Sequence, residues 1–185
     1  MSYRVTVCTA GLHGAGKSVL SEAANSLGFH VVSLGDSVRS ELRRRGLEVT
    51  HSNIHAISVS LRKESGPEAV AALAVRNIDE SEDLVMFDGL RSLEEYNYIR
   101  ALRRDTSLIA IHASPRVRYA RWSERKRVDD PVDFEGFMSR DLSELEFGMG
   151  SLMVLADYHL VNQDVTLEEF RRACGNLLKN LKLVM

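Results

Sequence analysis

Residues 11–18 read Gly-Leu-His-Gly-Ala-Gly-Lys-Ser, which satisfies the pattern GxxxxGK[ST]. Those types at that spacing suit the binding of a polyphosphate. Gly11, Gly14 and Gly16 permit backbone conformations that turn successive N–H groups inward, so the loop and the helix start behind it form an anion nest. Leu12, His13 and Ala15 fill the variable positions, with His13 read as a spacer rather than a catalyst. Lys17 then sets a point charge against the β and γ phosphates of ATP, and Ser18 supplies a hydroxyl suited to Mg²⁺. A second acidic Mg²⁺ contact is expected from Asp88, which closes the apolar run Leu84-Val85-Met86-Phe87. The competing reading of Asp88 is a structural cap.

Arginine stands wherever a second anion would need neutralising. Gly35, Asp36 and Arg39 follow one apolar run, and Arg91 lies just beyond Asp88. Ligands collect at the carboxyl edge of an open α/β sheet, so Arg39 and Arg91 are expected to converge on one acceptor anion. Solvated arginines on helix surfaces are the bland alternative. Asp36 is either a base for a hydroxyl acceptor or the cap of a helix beginning there. No guanine-specificity motif of the NKxD type is present, which argues against a GTP switch. Arg43-Arg44-Arg45, at a helix end, meet the helix dipole and stay solvated, the alternative being an RNA contact. His51, His55 and His112 lack metal-ligand spacing.

Five short apolar runs must position these groups: Tyr3 to Ala10, His30 to Leu34, Leu84 to Asp88, Leu108 to His112, and Tyr158 to Val161. Longer segments of helical period separate them, the pattern of a parallel sheet covered on both faces. Ser92 with Glu95 and Thr166 with Glu169 have capping-box spacing, and Gly66-Pro67 predicts a helix with proline at its first position. The connections before the third and fifth runs are about twice the usual length, with their excess near 46–66 and 122–150. An acceptor-binding insertion over about 36–66 and a short lid over about 122–150 are therefore expected within one domain spanning 1–185.

The chain has 185 residues and a formal net charge of −2 with pI near 6.3, which argues against a general nucleic-acid binder. Only five of its 24 basic residues are lysines, as bidentate phosphate recognition favours. Cys8 and Cys174 lie far apart with no CxxC spacing, and no run is long enough to span a membrane, so a cytoplasmic protein is expected.

With these motifs the chain resembles the adenylate-kinase-like nucleotide kinases, which carry GDxxR after the second strand and an acidic residue, glycine and arginine after the third. Pro115, Arg121, Arg125 and Arg127-Val128-Asp129-Asp130 follow the order of short-lid adenylate kinases, with Arg140 one helix later. The resemblance implies that Arg121, Arg125, Arg127 and Arg140 stack on the ATP base or clamp the transferring phosphate. Ala156-Asp157-Tyr158 and Asn162 are similar to the last strand of dephospho-CoA kinases, which implies a cofactor-side role for Asn162. The patterns GDxxR, DGhRS, IHASP, RxDDP and LADYxxVN most resemble an archaeal family related to adenylate kinases. Adenylate kinases have Thr before GD and Pro after DG; here Leu34 and Leu90 stand instead, and no four-cysteine zinc site is present.

The resemblance implies a P-loop three-layer α/β sandwich with strand order 2-3-1-4-5. It also implies transfer of the ATP γ-phosphoryl group to a nucleoside monophosphate or a dephospho-CoA-like acceptor, with ATP and Mg²⁺ as cofactors. The alternative is a slow ATPase or nucleotide sensor acting through a protein or RNA partner.

Overall fold

The computed structural model describes residues 4–79, 81–125 and 133–184, the side chains of Arg125 and Val184 excepted. The chain runs β1 (Val5–Ala10), α1 (Lys17–Ser26), β2 (His30–Ser33), α2 (Leu34–Arg44), α3 (His51–Ser65), α4 (Ala69–Val75) and β3 (Leu84–Leu90). It continues through α5 (Leu93–Leu102), β4 (Thr106–His112), α6 (Pro115–Arg125), α7 (Phe134–Glu146), α8 (Met149–Leu155), β5 (Tyr158–Val161) and α9 (Leu167–Val184).

The five strands form one parallel sheet in the order β2-β3-β1-β4-β5, as expected. β1, at the centre, is buried along its whole length. Alternate residues of neighbouring strands feed two cores. Val7, Met86, Ile109 and Ile111 point toward α1 and α9, where Leu20, Phe170 and Leu178 meet them. Cys8, Phe87 and Leu108 point to the opposite layer, where they join Val38, Leu61, Ile99 and Leu152 from α2, α3, α5 and α8. Covering both faces in this way is what makes the strand sequences apolar at consecutive positions.

Strand ends differ from the sequence expectation by up to two residues, because pairing rather than composition sets them. β3 extends past Asp88 to Leu90 by pairing with Ala10, and β4 starts at Thr106, opposite Thr6. β2 stops at Ser33, and Leu34 already belongs to α2. Tyr3 lies outside the described residues.

Two helix starts also differ. Gly66 closes α3 at φ 99°, and Pro67 falls in the turn that follows, so α4 begins only at Ala69. Ser33, not Asp36, caps α2: its hydroxyl accepts the Asp36 N–H, and Asp36 sits in the first turn, where a carboxylate favours the helix dipole. Thr166 and Glu169 form the reciprocal capping box. At Ser92 only half of it forms, since the Glu95 carboxylate takes the N–H of Arg91 instead.

Candidate functional site

Strand β1 ends where the loop of residues 11–16 begins, and the loop runs straight into α1 through Gly16 at φ 113°. A side chain at Gly16 would place its Cβ 2.3 Å from Nδ2 of Asn162. Both the left-handed backbone and the close approach therefore require glycine. Asn162, one residue past β5 and buried, donates that Nδ2–H to the carbonyl of Ala15 at 2.9 Å. Arg121 of α6 spans the same two segments, donating to the Gly14 carbonyl at 3.4 Å and to the Asn162 carbonyl at 3.0 Å. Beneath them Arg118 is 2% exposed and donates to the carbonyls of His13 and Ala113. Asp141 of α7 balances its charge through a bidentate pair at 2.8 and 2.6 Å.

Leu12 and Ala15 turn their side chains into the cores, so their backbones alone edge the loop. Lys17 donates to the carbonyls of Gly11 and Leu12, which folds its ammonium over the loop. Burial lowers its pKa, and Asp88 and Glu144 oppose the shift. Ser18 lies on the same cleft wall, and so does Asp88, whose Oδ1 accepts the Thr9 hydroxyl at 2.6 Å. Hydroxyl and carboxylate oxygens of this kind suit a hard divalent cation.

The cleft holds about 1280 Å³ and is walled by the loop on one side and by Asp36, Arg39 and Arg91 on the other. Donor and acceptor candidates thus share one space. Arg39 donates to Asp36 at 2.8 Å, the Asp36 side chain being 71% exposed. Arg91 is more enclosed: Glu95 holds its backbone N–H, and its Nε lies 2.7 Å from Oε2 of Glu144 on α7. The other Glu144 oxygen is 3.0 Å from Nε2 of His13, and Nε of Arg140 approaches that same ring nitrogen at 2.8 Å. A single ring nitrogen can accept from the arginine or donate to the carboxylate, not both. Burial pushes the His13 pKa down to about 4 against the hydrogen bond to Glu144, so the ring is neutral at pH 7. For Glu144, burial opposes ionisation, yet Arg91, His13 and Lys17 outweigh it and hold the carboxyl well below the usual range.

Gly11, His13, Gly14, Gly16, Lys17 and Ser18 of the loop line this cleft together with Asp36, Arg39, Asp88, Arg91, Arg121, Arg140 and Asn162, whereas Leu12 and Ala15 do not. Of Arg125 only the backbone is described, as the last residue of α6, and Arg127 lies outside the described residues with most of the Arg-Val-Asp-Asp-Pro stretch. Sequence reasoning missed Arg118, Asp141, Glu144 and Trp122, which also lines the cleft. A signal existed. Arg118 precedes Arg121 by one helical turn, and the buried stripe of α7 is Phe137, Arg140, Asp141 and Glu144, at i, i+3, i+4 and i+7. That helix buries charge while Leu142 and Leu145 are exposed, so a search for apolar periodicity discards it.

A family model described as an AAA domain matches residues 10–135. A UPF0200 protein of Hyperthermus butylicus is 43% identical over 181 residues, covering 97% of this chain and 96% of the relative. One from Methanocaldococcus jannaschii is 40% identical, covering 92% and 87%. Among solved structures, shikimate kinase from Bacteroides thetaiotaomicron superposes with a TM-score of 0.61 at 18% identity over 95% of this chain and 98% of that one. A gluconokinase from Sinorhizobium meliloti gives 0.55 at 16% identity, over 99% and 98%. At such identities the likeness shows a shared P-loop kinase fold.

Proposed function

Since the chain belongs to the UPF0200 family and has a P-loop kinase fold, we propose that it is a phosphotransferase moving the ATP γ-phosphoryl group to a nucleotide-like small molecule, a nucleoside monophosphate or a dephospho-CoA-like acceptor. One observation carries the reading: the phosphate-type loop and the acceptor-side Asp36, Arg39 and Arg91 wall a single cleft. In this reading the chain is one domain over 1–185, with an acceptor-binding insertion at about 36–66 and a short lid at about 122–150.

The chemistry is an in-line displacement. An acceptor oxygen attacks the γ phosphorus, the bond to the β–γ bridging oxygen breaks, and ADP leaves with that electron pair. A phosphate acceptor brings an oxygen already anionic, whereas a hydroxyl acceptor gives its proton to the Asp36 carboxylate. Lys17 and the loop amides hold the triphosphate, while Arg121 and Arg140 approach from the lid side. Ser18 and Asp88 would hold Mg²⁺, which would supply charge neutralisation for the phosphoryl oxygens. Asn162 fixes the loop from below. Closure of the lid segment excludes water, the competing acceptor.

The test is ADP release from Mg-ATP in a coupled assay, with nucleoside monophosphates, dephospho-CoA and hydroxylated acids or polyols offered in turn. Release that depends on one acceptor is expected, and Lys17→Ala should cut it by roughly 10³-fold. Release indifferent to every small molecule but raised by RNA or protein would replace this reading with an ATPase or nucleotide sensor.

A further inference from the structure

Glu144 is an unusual wall for an anion-binding cleft. It lines the same space as Lys17, Arg91 and Arg140, its side chain is 10% exposed, and its two oxygens are divided between Arg91 and His13. It thereby joins α7 to the phosphate-type loop and to the turn after β3. As a mere fastener of α7 it would be redundant. Arg118 and Asp141 already pin that helix through a buried bidentate pair, and Phe137 packs against Tyr119 and Trp122 of α6. The Arg118–Asp141 pair lies beneath the cleft, whereas Glu144 stands on its wall. The geometry is also specific. Glu144 takes Nε of Arg91, while the Arg91 backbone is held separately by Glu95. The guanidinium can therefore change partners without the turn after β3 moving.

We propose that Glu144 is a displaceable counter-ion, a specificity-determining residue that occupies Arg91 until an anionic group of the acceptor takes that arginine over. The inference rests on reading Arg91 as an acceptor arginine. It goes further in making acceptor affinity a competition between two anions for one guanidinium. A weak or singly placed anion does not displace a carboxylate already 2.7 Å away, whereas a phosphate, offering more oxygens and more charge, does. Glu144 thus selects for phosphate-bearing acceptors. When displaced, it releases His13 from the same contact, so occupation of the acceptor side is felt in the loop that holds the donor.

The experiment titrates inorganic phosphate, by calorimetry, into protein with and without saturating Mg²⁺ and a non-hydrolysable ATP analogue. Glu144→Gln keeps the shape and removes the competing charge. Phosphate should then bind about tenfold tighter, equivalent to about 1.4 kcal/mol. In an Arg91→Ala background the same substitution should give no gain. Unchanged, weaker or undetectable phosphate binding by a folded Glu144→Gln protein would overturn the proposal. So would a gain that persists without Arg91, which would mark a general charge effect. Should the glutamine variant not fold, Glu144→Asp serves: one methylene shorter, it loses reach to Arg91, and phosphate affinity must still rise. Failure of the ATP analogue to bind wild-type protein would instead count against the proposed phosphotransferase, and the phosphate arm is read without it.

Discussion

The two walls of the cleft are held by different kinds of bond. On the loop side, Asn162, Arg121, Arg118 and Lys17 all donate to main-chain carbonyls of residues 11–15, and glycine at 16 admits the close approach of Asn162. On the acceptor side, Arg39 and Arg91 are held by the carboxylates of Asp36 and Glu144. A backbone carbonyl cannot leave, so the loop backbone keeps one shape, and only its His13 side chain is tied to an exchangeable carboxylate, that of Glu144. A carboxylate can exchange its arginine for another anion, so the acceptor wall is adjustable. The difference suits a transferase with a constant donor and a selected acceptor.

The largest expected effect tests the fixed wall. Asp141→Asn leaves the guanidinium of Arg118, which is 2% exposed, without its counter-charge beneath the loop. Breaking a buried pair on one side costs about 3–5 kcal/mol, which chemical denaturation would read directly. A loss under about 1 kcal/mol would mean that the carbonyls of His13 and Ala113 suffice to hold Arg118, and the loop wall would not depend on a buried ion pair.

Next comes the adjustable wall. Arg91→Ala should raise the acceptor KM by roughly tenfold or more and Arg39→Ala by a few-fold, because Arg91 is the more enclosed and an exposed pair contributes little. Steady-state kinetics with the acceptor found in the coupled assay decides it. Equal effects would remove the distinction between the two arginines.

The smallest effect concerns the support of the acceptor side. On α2, Glu41 accepts hydrogen bonds from Arg44 and Arg45, which hold its carboxyl at about 2, below the ordinary 4.5. A depressed carboxylate stabilises the fold fully above its unfolded value and loses that contribution as the pH falls toward the folded one. The melting-temperature gap between wild type and Glu41→Gln should therefore be widest above pH 4.5 and close as the pH falls toward about 2. A gap independent of pH would show that Glu41 acts by packing instead. The same pairing accounts for two of the three arginines at 43–45, which the charge run alone left as a solvated helix end.

The comparison also separates what was legible beforehand. The loop motif is contiguous, and its neighbours in space, Asn162 and Arg121, were reached only through likeness to known kinases. Asp36 and Arg39 were found as a pair, but Ser33 proved to be the cap of their helix, since β2 ends one residue earlier than its apolar run does. The buried charges of α7 were missed. Among the described residues no helix is long and apolar enough to cross a membrane, consistent with the absence of any long apolar run.

By itself the order of residues determined the sheet, its doubly covered strands and the phosphate-type loop, because each depends on neighbours in the chain: consecutive apolar side chains, or glycines that must bend within a few bonds. Which carboxylate faces which arginine was decided only by tertiary structure. Glu144 and His13 are 131 positions apart, and Arg118 and Asp141 are 23 apart. Ion pairs act over a few ångströms and carry no periodicity, so only packing α6 and α7 against the sheet edge selects one partner among many.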